Sequence, residues 1–179
     1  MNKYPRIIID IEKIRKNTET IVNIAKRSSI EIIGVTKATC GDPLVGKAML
    51  DGGAKGLADS RLSNIKRLKS EMQHVEFMLL RSPMISQIPE IIKDVDISIN
   101  TELEVLKKLS IEAEKKNMTH QVLLMVEFGE RREGINNEEI DEIISFLKSQ
   151  SSLELYGIGM NLTCYSGVIP TEEKINEFM

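Results

Sequence analysis

Residues Glu31–Asp42, EIIGVTKATCGD, decide the fold. Ile32, Ile33, Gly34, Val35 and Thr36 read as a short buried strand, and Lys37 stands where that strand runs out, followed by a turn of small residues. Lysine is among the residues least often buried, because taking an ammonium out of water is costly unless it is paired. The plain reading of a strand-end lysine is one whose stem lies along apolar surface while its head stays in water. The functional reading is that the strand exists to deliver the amine. The stretch by itself leaves both open.

The pattern recurs along the chain. EIIGVTK, KGLADS, EFMLLR, DISIN, QVLLMVEF and LELYGIGMN begin near residues 31, 55, 76, 97, 121 and 153, so successive starts lie 24, 21, 21, 24 and 32 residues apart. Helical spacing fills the intervals. Leu103, Leu106, Leu109 and Ala113 share a face between Glu102 and Lys116, as do Ile140, Ile143, Ile144 and Leu147 between Glu138 and Lys148. Ahead of these units, Arg6 to Ile11 reads as another short strand, and Ile11 to Lys26 as a helix with Ile14, Ile21, Ile24 and Ala25 as its apolar set. Strands alternating with amphipathic helices predict an α/β fold of right-handed units on a parallel sheet. Strands so uniformly apolar suit a sheet covered on both faces. A doubly wound nucleotide-binding sheet would carry a glycine-rich turn after its first strand, and none is present. Short units of near-constant length favour the (β/α)₈ barrel, in which eight strands close. This sequence supplies six, and Thr171–Lys174 reads as the opening of a further helix, so the expectation is an incomplete barrel cut off mid-fold.

Composition removes several function classes. At 179 residues with 28% charged residues and a net charge of −3, nothing points to a nucleic-acid or acidic-membrane partner. Aromatic residues are 4% and tryptophan is absent, which argues against base-stacking platforms. The apolar run near the N-terminus is too short for a signal peptide, and no segment approaches a membrane span. Cys40 and Cys164 form neither a disulfide framework nor metal-ligand spacing, so a reducing, cytoplasmic setting without a metal is expected.

In such barrels the C-terminal strand ends carry chemistry and the opposite face carries stability. Lys37, Asp59, Arg81, Asn100, Glu127 and Asn161 fall at or near C-terminal strand ends, whereas His74 and His120 fall just before strands, which counts against histidine catalysis. There is no HExxH, GxSxG or phosphate loop. Lys37 is therefore the obvious nucleophile, since an amine in apolar surroundings near other cations loses its proton more readily and can attack a carbonyl. Arg132, within Phe128–Gly134, is a candidate for such a cation, and a solvated charged turn is the other reading of that loop.

The motifs RIIIDIEKIRKN, GVTKATCGD, LADSRLSNIKRL, LLRSPM, DISINTELEVLKKLS, EFGERREGI and GIGMNLTCYSGVIPT span essentially the whole chain in order. Together they resemble the alanine-racemase-type barrel family that uses pyridoxal 5'-phosphate (PLP), and most closely its ornithine-racemase-like branch. The resemblance implies a PLP-binding (β/α)₈ barrel, incomplete here, with residues 1–30 as a leading strand and helix and residues 31–179 as the barrel portion. It implies an amino-acid racemase in the full-length protein, acting on ornithine or a similar small amino acid and working as a homodimer. Lys37 matches the lysine that carries PLP as a Schiff base, and Arg132 the arginine that hydrogen-bonds the cofactor's phenolic oxygen. Asn161 takes the place where relatives set a His or Asn against the pyridine ring, and Asp59 matches a residue of the same mouth. Many relatives place a tyrosine soon after the lysine to hold the phosphate, where this chain has Ala38-Thr39-Cys40-Gly41-Asp42. The family's second base, a tyrosine of a C-terminal β domain, has no counterpart in these 179 residues. A non-catalytic PLP-binding or PLP-homeostasis barrel is the alternative the resemblance leaves open.

Overall fold

The computed structural model describes residues 5–162 and 167–179. They form two compact units, Met1–Phe77 and Met78–Met179.

The first unit opens with helix α1, Ile11–Lys26. Asp10 caps it by accepting the Lys13 N–H at 3.1 Å, while Glu12 in the first turn and Lys26 in the last suit the helix dipole. The apolar run before α1 forms no strand: residues 5–10 join no ladder among the described residues, and Ile7 and Ile8 are 91% and 76% exposed. Apolar, β-branched residues suit a strand, but a strand also needs a partner to take its backbone hydrogen bonds. The packed face of α1 also differs from the expected set. Ile21 and Ile24 face water, whereas Ile14, Thr18, Val22 and Ala25 are half-buried. The reason is the surface opposite, where Gly52 and Gly53 end helix α2 (Pro43–Asp51) and its cap. A Cβ at Gly52 would lie 2.7 Å from Thr18 Cβ and 2.6 Å from the Arg15 carbonyl oxygen, so the two backbones meet with no room for larger side chains.

Strand β1 (Ile33–Val35) pairs in parallel with β2 (Gly56–Asp59), in the register Ile33 to Gly56, Gly34 to Leu57 and Val35 to Ala58. Gly34 lets β1 and α2 approach closely: a Cβ there would lie 2.8 Å from Met49 Sδ and 3.0 Å from Met49 Cβ on α2, so Met49 would have to shift. Helix α3 (Leu62–Glu71) completes the unit and buries Leu62, Ile65 and Leu68.

The second unit carries β3 (Glu76–Leu79, which starts at the end of the first unit), α4 (Ile88–Asp94), β4 (Ile97–Asn100), α5 (Leu103–Lys115), β5 (His120–Met125), α6 (Asn137–Ser149), β6 (Leu153–Gly159) and α7 (Glu172–Phe178). Here β3 to β6 pair successively in parallel, and the strand order is β1-β2-β3-β4-β5-β6. The expected α/β architecture of six parallel strands with intervening helices is present. Leu106, Leu109 and Ala113 of α5 and Ile143 and Leu147 of α6 are buried, as their helical spacing predicts. No helix among the described residues is long and apolar enough to cross a membrane.

His120 begins β5, as its place before the strand implied, and is 2% exposed. Its Nε2 lies 2.8 Å from Ser98 Oγ, and Asn100 Nδ2 donates to that same oxygen at 3.0 Å. Burial lowers the imidazole pKa from 6.5 to about 4. With the folded value below the unfolded one, the unfolded chain takes up this proton first as pH falls. The contribution is therefore complete above 6.5 and drains away towards 4, a loss of about 3 kcal/mol. Urea unfolding of the full-length protein at pH 7 and pH 4.5 should show that loss, and His120→Asn should lack it. Equal pH dependence in both proteins would refute the assignment.

Candidate functional site

Lys37 follows β1 as the first residue of a 3₁₀ turn, Lys37–Thr39. Within β1 Gly34 is buried and Val35 exposed, and Thr36, which leaves the strand, is buried. The lysine is exposed, and its ammonium has no hydrogen-bond or ion-pair partner among the described residues. Its backbone is held at many points. The Thr36 carbonyl accepts the Thr39 N–H at 3.0 Å, the Thr39 hydroxyl at 3.0 Å and the Gly41 N–H at 3.2 Å. The Lys37 carbonyl accepts the Cys40 N–H at 3.3 Å, and Asp42 then caps α2 through the Leu44 and Val45 N–H groups. Cys40, at φ 53°, and Gly41, at φ 65°, turn the chain in the left-handed region. Cys40 is exposed, while Cys164 lies outside the described residues.

Asp59 ends β2, and the pairing of Val35 with Ala58 brings it beside Thr36. It is fully buried. Its Oδ2 accepts from Thr36 Oγ1 at 2.8 Å, and its Oδ1 accepts the Arg61 N–H and Asn64 Nδ2, each at 3.0 Å. The carboxylate thus ties the end of β1 to the start of α3. Thr36 and Asn64 belong to this arrangement, and sequence reading passed over both. The signal available was the run Asp59-Ser60-Arg61-Leu62-Ser63-Asn64, whose first member is placed to receive the amide that opens a helix.

In the second unit, Arg132 lies in the loop between an isolated parallel bridge of Val126 with Ile135. Glu127 organises this loop from inside: its carboxylate accepts the Gly129 and Arg131 N–H groups, so the backbone folds back over one side chain. Gly129 and Gly134 take positive φ, and a Cβ at Gly134 would lie 2.5 Å from the Glu127 nitrogen. The loop is therefore a built structure and not only a charged turn. Arg132 Nη2 sits 2.7 Å from Glu133 Oε1 and 3.8 Å from Glu130 Oε2, and Glu130 is buried. An open hollow of about 280 Å³ is lined by Glu127, Arg131, Arg132, Glu133, Gly134 and Asn136. Asn161 follows β6 by two residues and is half-buried. Lys37 and Asp59 thus share the first unit, linked through Thr36, and Arg132 and Asn161 lie in the second.

Each unit can be read for its own chemistry. An unpartnered amine on a multiply bonded turn can condense with a carbonyl, and a guanidinium offers donors in a fixed plane to an anionic oxygen.

The profile described as alanine racemase, N-terminal domain, matches residues 9–179. An ornithine racemase of Acetoanaerobium sticklandii is 37% identical over 174 residues, which is 97% of this chain and 49% of that protein. A lysine racemase of Thermotoga maritima is 36% identical, over 96% of this chain and 48% of that protein. The chain therefore spans about half the length of the curated relatives it matches. Among solved structures, an alanine racemase from Streptomyces lavendulae superposes with a TM-score of 0.77 at 18% identity, covering 87% of this chain and 42% of that one, which speaks for the fold. From its first helix to its last, the chain belongs to the alanine racemase N-terminal domain family.

Proposed function

We propose that the full-length protein is a PLP-dependent amino-acid racemase, interconverting the L and D forms of ornithine or a similar small amino acid, with residues 31–179 as part of its barrel and residues 1–30 leading into it. The observation that carries this reading is the unpartnered amine of Lys37 on its bonded turn. The names of the two relatives, an ornithine and a lysine racemase, support the substrate class. A reducing, cytoplasmic setting and a homodimer belong to the same reading.

PLP, when bound, supplies an electron sink for a carbanion at the substrate Cα. Lys37 Nζ would hold the cofactor and would take or return the Cα proton on one face. Arg132 would orient the cofactor by donating to its phenolic oxygen, and Asn161 would stand against its ring. Inversion needs a second base on the opposite face, and we assign that to the remainder of the full-length protein.

The test is to incubate the full-length protein and PLP with L-ornithine, L-lysine and L-alanine and to follow the D forms by chiral chromatography. Cofactor bound at Lys37 without any racemisation would refute the racemase and favour a PLP-homeostasis protein. Arg132→Ala should keep covalent capture of PLP while racemisation falls about ten- to a hundredfold, the range expected for losing a hydrogen bond to a charged group. Loss of capture equal to that of a Lys37 variant would contradict the separate role of Arg132.

A further inference from the structure

Nothing among the described residues holds the Lys37 side chain, so the position of its amine depends on the turn beneath it. That turn is gripped at both ends by one buried group. At its start, Thr36 Oγ1 meets Asp59 Oδ2 at 2.8 Å. At its far end, Gly41 rests on Asn64, close enough that a Cβ at Gly41 would lie 2.7 Å from Asn64 Cβ. Asn64 is in turn bound to Asp59 Oδ1 at 3.0 Å. We infer that Asp59 is a positioning residue for Lys37, acting through Thr36 and Asn64, and that it does not touch the cofactor.

The inference rests on reading Lys37 as the amine that carries PLP. Its physical basis is the donor count. A fully buried carboxylate needs donors around it, and Asp59 receives three, from Thr36, the Arg61 amide and Asn64, all within the chain. Hydrogen bonds to an ionised acceptor are shorter and stronger than neutral ones, so the charge stiffens the junction from which Lys37 projects. Stiffness there matters because a reacting atom misplaced by about 1 Å loses about a hundredfold in rate. A residue meant to meet the cofactor would need its oxygens turned outward.

The experiment uses the full-length protein titrated with PLP, with capture at Lys37 trapped by borohydride and located by peptide mass. Urea unfolding without PLP is measured in parallel. Thr36→Val leaves Asp59 in place and should weaken capture about tenfold, the expected scale for one lost hydrogen bond to a charged group. Thr36→Ser restores the hydroxyl and should restore capture. Asp59→Ala should weaken capture at least as much, and the double variant Thr36→Val/Asp59→Ala no further. If Thr36→Val captures PLP like the wild type while Asp59→Ala does not, Asp59 acts directly and the inference fails. It fails equally if Thr36→Val lowers stability and leaves capture unchanged. Should Asp59→Ala not fold, the valine and serine pair at Thr36 still decides. A wild-type protein that captures no PLP at Lys37 overturns the proposed function itself, and the inference with it.

Discussion

Lys37→Ala should leave the full-length protein unable to capture PLP covalently and should lower racemisation by about a thousandfold or more, because in the proposed function one amine serves as both nucleophile and base. The structure separates this loss from unfolding. Lys37 is exposed and its ammonium makes no bond or ion pair among the described residues, whereas the turn is held by backbone groups that alanine retains. A substitution at such a surface position changes stability by only about 0.5 kcal/mol. The expected result is therefore an unchanged melting temperature with both chemical readouts gone. Lys37→Arg should behave the same way, since it keeps a cation and loses the nucleophile. Substantial racemisation in either variant would remove Lys37 from the mechanism.

The second large effect concerns the 179-residue chain produced by itself. β1 and β6 end the strand order, and among the described residues no ladder joins them. Each therefore offers an edge of unpaired backbone groups, a template for another chain. The edges are also apolar: Val35 is 39% exposed, Leu155 41% and Ile158 49%. Covering such half-exposed side chains is worth a few kcal/mol in total, a large share of a domain stability of about 5–15 kcal/mol. Sedimentation should show this chain self-associated as concentration rises, and the chiral assay should show no racemisation. A monodisperse monomer that racemises an amino acid would refute both the open edges and the need for further residues at the site.

Local pattern made the repeating units readable, and longer-range geometry hid what it hid. Ile32 to Thr36, Leu103 to Ala113 and Ile140 to Leu147 each carry their period within a dozen residues, so strand and helix follow from neighbours alone. The face of α1 was not readable in this way. Thr18 and Val22 were chosen over Ile21 and Ile24 by two glycines some thirty residues later. The run Ile7 to Ile9 has strand composition, but composition cannot supply a partner. Lys37 stood out because its type is unusual for a strand end and Arg132 because its loop is dense in charge, but the roles proposed for both come from the family resemblance. The hydrogen bond of Asp59 with Thr36 depends on the register that sets them side by side across 23 residues. The fold-back of the Arg132 loop depends on Glu127 reaching two backbone amides, which no spacing rule announces.

Strand order that follows chain order also bears on how the protein is made. Partners in the ladders are close in sequence: Ile33 meets Gly56, Met78 meets Ile97, Ile97 meets Gln121, and His120 meets Leu153. Each pairing closes a loop of modest length, so its entropic cost is met early and no distant segment has to be awaited. A nascent chain leaving the ribosome N-terminus first can add one strand and its helix at a time to a growing edge. Throughout that growth the newest strand is always the exposed one, which makes synthesis itself the interval when this protein is most open to a wrong partner.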